Sequence, residues 1–123
     1  MTFEAPRALN ADEQRVLGLL LAAKFPGAEQ LRVQASAAVV VGHCDCGCPT
    51  IDLAVPAGLP SFPLSSRLVP SEAQVTPAGD EPPGQIILFL DNGRLSSLEY
   101  VYFDEPPEAW PDPDRLHVTT NPR

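Results

Sequence analysis

Gln85-Ile86-Ile87-Leu88-Phe89-Leu90-Asp91-Asn92-Gly93-Arg94-Leu95-Ser96-Ser97-Leu98-Glu99-Tyr100-Val101-Tyr102-Phe103 decides the fold class. Gln85 to Leu90 is an apolar run short enough for a strand and rich in β-formers. Asn92-Gly93 then suits the centre of a type I′ turn, which needs positive φ at both residues. Leu95 to Phe103 returns with Leu98, Tyr100 and Tyr102 on one face and Glu99, Val101 and Phe103 on the other. Two such runs across Asn-Gly predict an antiparallel hairpin, its first strand central in a sheet.

Working back towards the N-terminus, Ile51, Leu53 and Val55 alternate with Asp52 and Ala54, the period of a strand with one buried face. Val39, Val40 and Val41 are β-branched and read as its partner. Residues 42–49 are then a hairpin connection. Earlier still the period changes from two to that of a helix. Asn10 followed by Glu13 is a capping box. Val16, Leu20 and Ala23 lie on one line, Leu17, Leu21 and Phe25 on the next, and Pro26-Gly27 ends the segment. Ala28 to Gln34 adds one or two turns with Leu31 inward. Residues 1–9 read as a loose leader.

Towards the C-terminus the chain becomes proline-rich: thirteen of its 15 prolines follow Cys48. Pro56 to Pro63 and Pro77 to Gly84 read as loops. Leu64 to Thr76 reads as an irregular strand that Pro70 confines to an edge or breaks. Asp104 to Asp114 holds four prolines and five acids and reads as an extended surface segment. Residues 115–123 are short of apolar anchors and are expected to fray. The expectation is an α+β domain spanning residues 1–123, with one or two N-terminal helices on an antiparallel sheet of four or five strands and residues 104–123 as an acidic C-terminal segment.

The net charge of −8 disfavours nucleic acid and anionic lipid as partners. No basic n-region precedes an apolar stretch, and the longest apolar run, Val16 to Ala23, is too short to span a bilayer. The cytoplasm is therefore the expected compartment, where thiols stay reduced. The scarcity of lysine beside abundant Ala, Pro and Arg suggests a GC-rich bacterial source.

His43-Cys44-Asp45-Cys46-Gly47-Cys48-Pro49 carries all three cysteines of the chain at alternate positions. A zinc site is the functional reading, with Cys44, Cys46 and Cys48 as ligands and His43 or His117 as the fourth. Asp45 is a harder and poorer ligand. The spacing departs from the usual C-x2-C: on an extended strand alternate residues stand roughly 6.6 Å apart, too far for two sulfurs to share an ion, unless Gly47 and Pro49 bend the backbone. A redox role lacks the usual C-x-x-C at a helix start. The plainer alternative is a tight turn in which cysteines pack as small hydrophobes.

Trp110, flanked by Glu105, Glu108 and Asp112, is the second candidate site. It reads either as an aromatic anchor for a partner or as a clasp packed on the protein's own sheet. Catalytic signatures are missing. Ser96 and Ser97 sit in no G-x-S-x-G elbow, no glycine loop precedes G-K-[ST], and Lys24 is the single lysine. The leading expectation is a non-catalytic module that binds a basic protein, as an immunity protein or inhibitor does, through Glu105, Glu108, Trp110 and Asp112. The alternative is a metal- or thiol-dependent module on the cysteines. A hydrolase with a dispersed site is the third reading.

Overall fold

The computed structural model describes residues 2–77 and 83–120. The expected hairpin forms over Gly84–Val101, two residues short of Phe103, with Asn92 and Gly93 at φ of 51° and 76°, the left-handed pair a type I′ turn requires. Gly93 is constrained twice, because a Cβ there would stand 3.1 Å from Ser61 Cβ and 3.2 Å from the Phe62 carbonyl oxygen.

Nine longer elements follow in chain order: β1 (Thr2–Ala8), α1 (Ala11–Leu21), α2 (Ala28–Ser36), β2 (Val39–His43), β3 (Ile51–Ala54), β4 (Leu68–Val75), β5 (Gly84–Asp91), β6 (Arg94–Val101) and β7 (Leu116–Thr120). A 3-10 turn at Pro113–Arg115 leads into β7. The strands form one antiparallel sheet in the order β1-β2-β3-β6-β5-β4-β7. The α+β class holds, but the sheet has seven strands rather than four or five.

The two outermost strands account for the difference. The expected loose leader is β1, which pairs with β2 from Thr2↔His43 to Ala8↔Val39. The expected frayed tail contains β7, which pairs with β4 from Ser71↔Thr120 to Val75↔Leu116. Rim strands are held by backbone hydrogen bonds on one side and need little apolar alternation, so their sequences carry a faint signal. Pro6 is tolerated in β1 because the β1–β2 register slips between Phe3 and Arg7. Pro70 neither breaks β4 nor confines it to a rim. The β4–β5 register shifts between Leu68 and Glu72, and β7 joins only from Ser71 onward, so Pro70 lies outside both regular ladders.

Both helices cover one face of the sheet. Val16, Leu17, Leu20 and Leu21 of α1 and Leu31 of α2 meet Ile86, Leu88, Leu90, Leu98 and Tyr100 in a single core. Burying each of these aliphatic side chains contributes about 1.5–3 kcal/mol. The Asn10 capping box forms as the spacing predicts: Asn10 Oδ1 accepts from the Glu13 amide, and Glu13 Oε1 accepts from the Asn10 amide. Glu13 is buried, and its carboxylate also takes both guanidinium nitrogens of Arg7 at 2.9 Å. One acid thus anchors helix and rim strand together. Among the described residues no helix is long and apolar enough to cross a membrane.

Candidate metal centre

The expected connection between the two strands is present but shifted from 42–49 to 44–50, because Gly42 and His43 continue β2. The connection is a compact turn rather than an extended strand. It closes through the Cys44 amide on the Thr50 carbonyl at 3.2 Å, and Gly47 adopts φ of 92°. That left-handed residue folds the backbone back, and the estimate made for an extended strand no longer applies. The three sulfurs lie within 4.8 Å of one another. Cys44 Sγ and Cys46 Sγ are 2.9 Å apart, and the Cys48 amide donates to Cys46 Sγ at 3.3 Å. Cys46 is exposed, Cys44 half-buried and Cys48 buried, so the group opens to solvent on one side and is rooted in the protein on the other.

Their surroundings divide the thiols. Cys46 is pulled down to about 6 by hydrogen bonds from Cys44, then Cys48 and the Tyr102 hydroxyl, all of which favour its thiolate. Burial pushes Cys48 up to about 11, and the neighbouring Cys46 adds to the shift. Tyr102 rises to about 12 because its hydroxyl is held by the Cys46 sulfur. The ordinary thiol value is 9.0. Between pH 6 and 9, then, folded Cys46 carries fewer protons than in the unfolded chain. Its contribution to stability grows with pH across that window and fades as pH falls through 6. Alkylation by iodoacetamide should therefore strike Cys46 first, at a rate half-maximal near pH 6. Peptide mapping at a series of pH values checks this; a midpoint near 9 would contradict the arrangement.

His43 does not join the sulfurs. It lies on β2, and its Nδ1 meets Glu4 Oε2 at 2.6 Å. That contact, reinforced by Arg7, holds the Glu4 carboxyl below its usual range. His117 is further away still, on β7 at the opposite rim. Asp45 accepts a hydrogen bond from the Thr2 hydroxyl. Among the described residues, the converging His, Cys, Asp and Glu side chains are the three cysteines alone.

Tyr102 is the neighbour that sequence reasoning missed. It follows β6, whose partner is β3, and the Ile51↔Leu98 register brings the end of β6 beside the cysteine turn. Thr50 ties the same corner: its hydroxyl accepts the Tyr100 amide at 2.9 Å. The alternation in residues 95–103 places Tyr102 on a face, but pairing between strands so far apart in sequence leaves no local signal.

Trp110 stacks on Tyr100, with ring centroids 5.9 Å apart and planes inclined by 24°. It is half-buried against the core, the position of a clasp. Glu105, Glu108 and Asp112 are exposed and line a cleft of about 610 Å³ with Trp110, Tyr102 and Arg115. A second groove, about 960 Å³, runs between the Phe62–Arg67 loop and the β5–β6 hairpin past Ser96 and Ser97; its lining includes neither histidine nor cysteine. No protein-family model, curated protein or solved structure matches this chain.

Proposed function

We propose that the protein is a thiolate metal-binding module built on Cys44, Cys46 and Cys48. The observation that carries this reading is the convergence of three sulfurs within 4.8 Å on one turn. Thiolates about 2.3 Å from one ion stand about 3.8 Å from each other, so small side-chain rotations suffice. Soft sulfur donors favour zinc, cadmium and monovalent copper over magnesium or calcium. The Tyr102 hydroxyl on the Cys46 sulfur is the kind of outer hydrogen bond that orients a ligand. Protein purified without chelator and analysed for elements should hold about one such ion per chain. Metal-free protein that takes up neither zinc nor cadmium on titration would overturn the proposal.

A basic protein partner is the second reading. Its support is the exposed row of Glu105, Glu108 and Asp112 beside the cleft. Against it, Trp110 is spent on Tyr100, and Arg115 lines the same cleft. This reading expects an association that weakens with added salt and with Glu105, Glu108 and Asp112 replaced together. Association indifferent to salt would refute it.

A further inference from the structure

We infer that the cysteine turn is a three-coordinate site for monovalent copper, held by Cys44, Cys46 and Cys48 alone. The inference rests on the metal-binding reading and adds coordination number and ion to it. A closed structural zinc site takes four protein ligands, commonly with paired cysteines that have two residues between them, where this chain has one. Among the described residues, the His, Cys, Asp and Glu donors that converge here stop at three. Neither neighbour in sequence joins the sulfurs: His43 meets Glu4 through Nδ1, and Asp45 accepts from the Thr2 hydroxyl. Both contacts tie the flank of the turn to β1, away from the sulfurs. Monovalent copper is among the softest biological ions, has no strong demand for a fourth ligand and is selected by thiolates.

The distribution of burial suits such a centre. Cys48 is buried in the protein. Cys46 is exposed at the tip, and Cys44 lies between. The ion can therefore be reached from solvent while one ligand stays anchored. On binding, all three cysteines coordinate as thiolates, any that still carry a proton release it to solvent, and the ion gains three sulfur bonds. The product carries a net charge of minus two, and the Tyr102 hydroxyl donates towards the sulfur nearest solvent.

The test uses the full chain, reduced, metal-free and anaerobic, titrated with cuprous ion supplied from a chromogenic cuprous chelator. The expected result is one copper per chain, three sulfur neighbours in the X-ray absorption spectrum, and copper retained against a large excess of Zn2+. Cys44→Ser should fold as the parent does by circular dichroism and show two sulfur neighbours. Two sulfur neighbours in the unaltered protein, copper bridging two chains, or displacement by Zn2+ would overturn the inference and leave a metal module of another kind. Failure to bind copper, zinc and cadmium alike would overturn the metal-binding reading itself.

Discussion

Replacing Gln34 by leucine should destabilise the protein by roughly 2–4 kcal/mol. Gln34 is 1% exposed and lies at the end of α2. Its Nε2 donates to the Pro60 carbonyl at 2.7 Å and to the Gly93 carbonyl at 2.9 Å, and its Oε1 accepts the Leu95 amide at 2.9 Å. One side chain thus joins helix, loop and hairpin. Leucine fills a similar volume but leaves the buried Leu95 amide without its partner, at about 1–3 kcal/mol, while the Pro60 carbonyl, on an exposed residue, loses about 0.5–1.5 kcal/mol. The Gly93 oxygen suffers less, because it keeps the Phe62 amide at 2.9 Å. Domains of this size have total stabilities of about 5–15 kcal/mol, so the variant should melt roughly 10–20 °C lower. Urea unfolding of the two proteins measures the difference. A variant as stable as the parent would mean that the three hydrogen bonds are not made in solution.

Cys46→Ser should abolish tight metal binding and leave the fold untouched. A lost outer hydrogen bond typically lowers metal affinity by about 10–100-fold, so losing a ligand should cost about a hundredfold or more. Cys46 is exposed, so the metal-free variant should keep the fold and melt with the parent near pH 6, falling below it as pH rises towards 9 and the parent gains the thiolate's contribution. Cys48→Ser is the informative contrast. It puts a hydroxyl where a buried thiol stood and should lose metal and stability together. Tyr102→Phe keeps all three sulfurs and removes only the hydroxyl, so a drop of about tenfold is expected. Competition against a zinc-sensitive dye reads all three. Cys46→Ser holding zinc within a few-fold of the parent would exclude this sulfur as a ligand.

The sequence revealed the parts of this fold that local chemistry controls. Asn92-Gly93 marked the central hairpin because positive φ is cheap there, and Asn10 with Glu13 marked the helix start because two backbone amides need acceptors. The rims escaped notice. β1 and β7 are held by ladders whose partners, β2 and β4, lie about 40 residues away, and neither strand needs a clean apolar alternation. The cysteine turn was visible as composition, and its position between β2 and β3 followed from the flanking strands. Its geometry was not visible, because Gly47 in the left-handed region turns a spacing that looks too wide into a convergent one. Histidine assignments failed for a related reason. His43 adjoins the cysteines in sequence, but the β1 register carries Glu4 to it, and only the β1–β2 pairing reveals that.

Both rims of the sheet are single strands near the two ends of the chain, each stitched to one neighbour. Peeling either away would leave Val39–His43 or Ser71–Val75 with a row of bare amides and carbonyls, a ready template on which a second molecule's backbone could zip. The Arg7–Glu13 clamp and the Arg115 guanidinium on the Thr76 carbonyl hold the ends of the rim strands that join the body, where peeling from Thr2 or Thr120 would stop. Each arginine thereby limits how far its rim strand can peel.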